Sequence, residues 1–208
     1  MSDILHICYT PFTGRGYKKF GGYMGDEWFK ERIEIFKSYT LKSLLNQTNR
    51  NFIHWISFRP EEENNPLVKE LSDYLRNINY PFFFTFTGMI IWDDRGDSKK
   101  ELLSRLEKAL LKLEPLTKNK KYIIQSFLDS DDLLSKDAVS IIQRSFKKYN
   151  GAIGFIKGYL LNKETNELAQ WNPITIPPFY SLKFPKEIFI NPLKHIDYIS
   201  IKHNIMKK

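Results

Sequence analysis

Three carboxylates fall within four residues at Asp129, Ser130, Asp131 and Asp132, directly after the apolar run from Tyr122 to Leu128. The run has the length and continuity of a buried β-strand. Carboxylates at the end of a core strand are costly to bury unless something positive pairs with them. Open α/β sheets take their ligands at the carboxyl ends of their strands. In an extended segment residues i and i+2 point the same way, which puts Asp129 and Asp131 on one face with Ser130 turned away. Two hard oxygen donors suit Mg²⁺ or Mn²⁺, and Mg²⁺ is typically held by one or two carboxylates plus substrate phosphates. Such an ion neutralises charge on a departing phosphate. Asp129 and Asp131 are the candidate metal ligands. Asp132 reads either with them or as a support for the turn, alongside Ser135 and Asp137 at the start of the next helix.

Other chemistries for this cluster fail on spacing. A calcium-binding EF-hand loop needs Gly at its sixth position and Glu at its twelfth, and counting from Asp129 those positions hold Leu134 and Ser140. A phosphatase-type Asp-x-Asp nucleophile belongs on a first strand followed by Gly-Thr, whereas Leu133 and Leu134 follow here. A glycosidase needs two separated carboxylates flanking a sugar. Further candidates are weaker. Arg15 and Arg32 carry planar forks suited to phosphate, although Arg32 could equally pair with a helix-surface carboxylate. Arg105 stands on the helix before the acidic strand. His195 is a late imidazole that could complete a metal or diphosphate site, with His203 a lesser candidate. Trp171 and Asn172 could offer a stacking face to a sugar. Trp92, Asp93 and Asp94, with Arg95 and Asp97, read as a solvated turn.

These residues need a scaffold, and the chain spells one out. Ile4 to Tyr9 reads as a first strand, and a loop with Gly14, Gly16, Gly21, Gly22 and Gly25 follows. Trp28 to Asn46 has near-helical apolar spacing, with Asp26 as a capping side chain. Phe52 to Phe58 is a second strand, Pro66 to Ile78 a helix, Phe82 to Phe86 a third strand, and Ser98 to Leu113 a second long helix. The fourth strand carries the acidic cluster, and a helix capped by Ser135 runs to about Tyr149. After Gly151 come short strands at Ala152 to Ile156 and Tyr159 to Leu161, a turn at Asn162 to Asn166, and a returning arm at Glu167 to Trp171. Phe179 to Phe184 reads as one more strand, followed by a basic tail. Alternating strands and helices followed by hairpins predict an α/β domain. The expected sheet is parallel in its N-terminal half with antiparallel C-terminal additions, in one domain over residues 1–208.

The chain has 208 residues, a net charge of +8 and one cysteine. No apolar run approaches the roughly 20 residues that span a bilayer, and Met1, Ser2 and Asp3 do not begin a secretory signal. Cys8 lies in an apolar run, so a buried structural thiol and a reducing, cytoplasmic setting are expected. The charge implies an anionic partner, but the lysines are scattered, with short groups at Lys118, Lys120 and Lys121, at Lys147 and Lys148, and at Lys207 and Lys208. A basic nucleic-acid-binding module would use that charge and leave the acidic cluster unexplained, so no nucleic-acid partner is expected.

The stretch from Leu41 through Ser43, Leu44, Leu45, Gln47 and Thr48 to Phe52, followed by an apolar strand, resembles the opening of family 2-like glycosyltransferases of the GT-A fold. Phe127 to Leu133 is similar to their Asp-x-Asp motif. Trp28, Arg32, Phe36 and Tyr39, together with Pro178 to Leu182, resemble the putative rhamnosyltransferase branch. The resemblance covers roughly residues 4 to 200. It implies a GT-A, Rossmann-like three-layer sandwich and a metal-dependent transferase. The donor would be a UDP- or dTDP-sugar, such as glucose or rhamnose, and the acceptor a glycan hydroxyl; a sugar-nucleotide-binding domain without transfer is the alternative. The nucleoside would lie over the first two strand ends, near Thr10, Pro11, Phe12 and Arg59, with Asp129 and Asp131 facing the ribose and the metal-bound diphosphate. Many relatives place a base-contacting Asp after the second strand, where this chain has Phe58, Arg59, Pro60 and Glu61. An inverting transfer also wants a general base, for which Asp197, Glu187 and Asp94 are candidates.

Overall fold

The computed structural model describes residues 3–13, 25–88, 99–172 and 179–206. Its first strand, β1 (Ile4–Pro11), is followed by α1 (Asp26–Ile35). That helix continues without a break through a π-helical stretch, Phe36–Leu41, into α2 (Lys42–Leu45). Then come β2 (Ile53–Ser57), α3 (Pro66–Asn77), β3 (Phe82–Thr85), α4 (Lys99–Thr117), β4 (Tyr122–Phe127) and α5 (Ala138–Lys148). The C-terminal part adds β5 (Ala152–Gly154), β6 (Gly158–Leu161), β7 (Leu168–Trp171), β8 (Tyr180–Pro185), α6 (Lys186–Phe189) and α7 (Pro192–Met206).

Six strands make one sheet in the order β3-β2-β1-β4-β8-β5. β3, β2, β1 and β4 run parallel, and β8 is antiparallel to both β4 and β5. This is the expected mixed α/β sheet. Period-two alternation divides its side chains cleanly. Ile7, Tyr9, Trp55, Ile123, Phe127, Leu182 and Phe184 pack beneath α4, α6 and α7, where Leu106, Leu110, Leu113, Phe189 and Ile199 meet them. Cys8, Ile56 and Leu128 face the other way, onto Phe29, Ile33 and Phe36 of the first helix and onto Val68, Leu71 and Leu75 of α3. Ile124 meets Ile142 and Phe146 of α5. The result is three layers, with apolar surface buried on both sheet faces, as a largely parallel sheet requires.

One sequence expectation is corrected here. The segment after Phe184 is not a basic tail but the helices α6 and α7. Its lysines obscured an apolar stripe in which Phe189 and Ile199 are fully buried. The strand expected from Phe179 to Phe184 is β8, which lies inside the sheet between β4 and β5. β6 and β7 instead form a separate two-stranded hairpin, with Tyr159, Leu160 and Leu168 exposed. Among the described residues no helix is long and apolar enough to cross a membrane.

Candidate functional site

β4 ends at Phe127, and the acidic residues begin the loop beyond it. The Asp132 amide donates to the Asp129 carbonyl at 3.3 Å, which closes 129–132 into a turn. The alternation expected of an extended segment therefore stops short of Asp131. Ser130 is turned in and buried, while Asp129 is partly buried and Asp131 exposed. The two carboxylates remain neighbours at the carboxyl edge of the parallel strands, now presented by a turn.

α1 lies beside this turn. Phe29 and Ile33 are buried and fix its inner face. Arg32, on the same helix, forms an ion pair with Asp131, its Nη1 2.6 Å from Oδ2. Its guanidinium carbon stands 5.3 Å from the centre of the Trp28 ring, a cation–π distance. Sequence spacing offered Arg32 either a phosphate or a carboxylate. In this structure it holds the carboxylate of the predicted metal ligand.

The loop from the turn to α5 is anchored from behind. Gln47 is 4 % exposed; its amide nitrogen donates to the Ser135 carbonyl at 2.8 Å and to the Ser43 carbonyl at 3.1 Å. Its amide oxygen accepts from the Val139 amide at 3.1 Å, satisfying one orphan donor of the α5 N-terminus. The Thr48 hydroxyl donates to Asp137 Oδ1 at 2.8 Å, and the Thr48 amide donates to the Lys136 carbonyl at 2.8 Å. Ser43 Oγ accepts from the Leu134 amide at 3.2 Å. Asp137 thus stands at the helix start without capping it, and Ser135 contributes its carbonyl; the cap comes from Gln47, about 90 residues upstream. The Gln-Thr segment thus holds the chain that runs from the acidic motif into α5. Sequence reading placed the two motifs but could not see that the first anchors the loop that follows the second.

Next to this turn, the ends of β1 and β2 are closed rather than open. Thr10 is buried, 2.8 Å from His54 Nε2. Phe12 packs edge-on against Phe29 and Phe36, with ring centroids 5.9 and 5.4 Å away. Pro11 is buried as well, in register with Ser57. The side chains of Thr10, Pro11 and Phe12 serve the core beneath the edge over which the nucleoside is expected to lie. Arg59 is 3 % exposed and Glu62 is 2 % exposed. Arg59 Nε donates to Glu62 Oε1 at 2.9 Å, a second guanidinium nitrogen binds the same oxygen, and Thr13 donates its hydroxyl to the other oxygen. Breaking such a buried pair by removing one partner costs about 3–5 kcal/mol. Arg59 is therefore a fixed part of the wall, and sequence reading missed the partner, Glu62, that fixes it. Arg105 Nε donates to the Thr87 carbonyl at 3.3 Å. Ser57, Thr85 and Thr87 form a hydroxyl cluster there, with Ser57 donating to the Gly88 carbonyl at 2.8 Å. Gly88 has φ +65°, a conformation glycine adopts without strain.

Three candidates lie at the wrong end of the sheet. His195 is fully buried and stacked on Phe184 at 4.9 Å between ring centroids. Its Nδ1 is 2.8 Å from the Phe189 carbonyl. Phe184 pairs with Ile123, six residues before Asp129, or about 20 Å along the strand. His195 cannot join a metal there, and desolvation lowers its pKa to about 4 against the raising effect of the Phe189 carbonyl. Glu187 is exposed on α6, directly after the end of β8 that pairs with Tyr122. Asp197 is exposed on α7 beside Tyr198, whose hydroxyl donates to the Lys183 carbonyl at 2.8 Å. Both candidate bases stand by the amino end of β4, away from the acidic turn. Arg15, Asp94 and its acidic neighbours lie outside the described residues, as does the His203 side chain. Trp171 ends β7 partly buried, paired with Gly158.

Asp129 and Asp131 supply hard oxygens, and no group of three His, Cys, Asp or Glu side chains converges among the described residues. That donor set suits a cation completed by phosphate oxygens better than an all-protein cage.

The profile of the family described as "Putative rhamnosyl transferase" matches residues 22–182. No curated protein matches the chain. Solved structures similar to it include a "putative nucleotide-diphospho-sugar transferase" from Desulfovibrio desulfuricans G20, at 14 % identity over 90 % of this chain and 65 % of that one, with a TM-score of 0.42. S. aureus TarS 1–349 in complex with UDP is similar at 11 % identity over 98 % of this chain and 55 % of that one, with a TM-score of 0.44. A 4-diphosphocytidyl-2C-methyl-D-erythritol synthase is similar at 11 % identity over 99 % and 84 %, with a TM-score of 0.41. The chain spans 65 % of the first of these and about half of the second.

Proposed function

The chain belongs to the putative rhamnosyl transferase family, and on that premise we propose that it moves a sugar from a nucleoside-diphosphate sugar to a glycan hydroxyl. UDP- and dTDP-sugars are the proposed donors, glucose and rhamnose among their sugars. Asp129 and Asp131 are the proposed ligands of Mg²⁺ or Mn²⁺. The observation that carries the reading is the acidic turn at the carboxyl edge of β4, with Arg32 within ion-pair distance of it. When bound, the cation would neutralise charge on the departing diphosphate. The chain's own residues do the rest. Arg32 brings a guanidinium fork, suited to phosphate oxygens, to the same edge. Arg105 adds a second positive charge beyond β3. Gln47 and Thr48 hold the loop in place so that the carboxylates need little ordering when ligand arrives. The buried Arg59–Glu62 pair stiffens the chain just beyond β2.

Thermal shift with UDP, GDP and dTDP, each with and without Mn²⁺, tests this. Stabilisation by one nucleoside diphosphate that depends on the metal is the expected result, at roughly 2–3 kcal/mol for ligand at a hundredfold its Kd. Asp131→Asn should abolish the metal dependence. A shift equal with and without Mn²⁺ removes the metal from the proposal, and no shift with any nucleotide removes the donor.

A further inference from the structure

We propose that Arg32 is an exchangeable counter-ion. It holds Asp131 while no donor is bound, and passes to the donor's diphosphate when a divalent cation takes that carboxylate. The proposal rests on the donor and metal reading above and adds to it an order of partners within the site.

Among the described residues, two arginine–carboxylate pairs near this edge differ in how easily they exchange. Arg59 and Glu62 are sealed, with side chains 4 % and 3 % exposed. Arg32 and Asp131 are reachable, with side chains 24 % and 49 % exposed. An ion pair that water already reaches is weak and readily replaced, whereas a sealed one is not. Arg32 carries the planar fork that phosphate favours, and its contact with Asp131 is the ion pair between Nη1 and Oδ2. The Trp28 ring, 5.3 Å below the guanidinium carbon, gives it a platform that does not depend on Asp131. The helix beneath is immobilised by Phe29 and Ile33, so the fork can change partner without backbone movement. Charge stays matched throughout. Before exchange Asp131 faces Arg32; afterwards Asp131 faces the cation and Arg32 faces the phosphates.

The test is calorimetric, on the full chain, with Mn²⁺ alone and with UDP and dTDP in chelator. For Mn²⁺ alone, Arg32→Gln binds about threefold to fivefold tighter than wild type, since no ion pair must first be broken. In chelator, Arg32→Gln binds the nucleoside diphosphate about tenfold or more weakly. Asp131→Asn there binds it about threefold tighter than wild type, because the guanidinium is released. Arg32→Lys falls between, keeping the charge and losing the fork. Opposite signs for metal and nucleotide in Arg32→Gln, with the gain in Asp131→Asn, are results a purely structural ion pair would not give. Unchanged or weaker Mn²⁺ binding in Arg32→Gln overturns the exchange, as does unchanged or weaker metal-free nucleotide binding in Asp131→Asn. If Arg32→Gln melts early, Asp131→Asn still decides the matter from the other side of the pair. A wild type that binds Mn²⁺ but no nucleotide sinks the donor reading while the Mn²⁺ arm still reports on the latch.

Discussion

Side chains on β4 divide the duties of the strand between its faces and its end. Asp129 and Asp131 follow its carboxyl end, whereas Gln125, within it, is fully buried between Ile123 and Phe127. Neither the amide oxygen nor the amide nitrogen of Gln125 has a hydrogen-bond partner among the described residues. An unsatisfied buried amide costs about 1–3 kcal/mol, and apolar residues surround this one on the α4 face. Gln125→Leu, close in volume, is expected to raise the melting temperature by about 2–4 °C per kcal/mol recovered. A lower melting temperature in differential scanning fluorimetry would mean that the amide is bonded in solution. Cys8 lies on the opposite face, and burial pushes its thiol up to about 12. It is the inert core thiol that an apolar strand and a single cysteine imply.

At the level of elements, the helix that ends at Leu45 and the one that begins at Ala138 are joined through Gln47, and this joint positions the acidic turn. Gln47→Ala leaves the Ser43 and Ser135 carbonyls and the Val139 amide without their partner. It should cost about 2–4 kcal/mol. The loss should be local first: hydrogen–deuterium exchange should accelerate in peptides covering 129–139 while those of β1 and α4 stay protected. Uniform acceleration would show the joint to be no more than general core. The elements themselves were largely legible, because apolar alternation and helical spacing are written locally. α3 and α4 show it, with Leu71 and Leu75, and Leu106, Leu110 and Leu113, on their buried sides. The joint was not legible, since nothing in Gln47 or Val139 announces a partner across the fold. The turn at 129–132 was misread for a related reason: strand periodicity gives no sign of where the strand stops. His195 shows the limit from another side. An imidazole looks the same in sequence whether it binds a metal or is wedged between Phe184 and Phe189.

Across the whole molecule, three of the four histidines are buried, His6 and His54 on the sheet and His195 on α7, and the fold is expected to be sensitive to acid. His6 Nδ1 lies 3.2 Å from the Gln143 amide nitrogen and Nε2 lies 2.8 Å from Ser126 Oγ, which is 2.6 Å from Ser181 Oγ. The amide donates to Nδ1, so Nε2 carries the proton, and the chain of hydroxyls ties β1, β4 and β8 together beneath α5. His54 bridges Thr10 and Tyr80 at 2.8 and 3.0 Å. Burial lowers His6 and His54 to about 3 and His195 to about 4, against an ordinary value near 6.5. Between those values the unfolded chain takes up protons that the native one refuses. The stabilisation is complete above pH 6.5 and is lost as pH falls from there toward 4 and then 3. Each histidine contributes about 1.4 kcal/mol per pH unit in that window, so all three together remove about 6 kcal/mol by pH 5, comparable with the entire stability of an ordinary domain. The urea midpoint should therefore fall steeply between pH 6.5 and pH 5. His195→Phe, which keeps a ring between Phe184 and Phe189, should remove about a third of that slope. A midpoint that stays level over the same range would mean that the imidazoles protonate inside the folded protein.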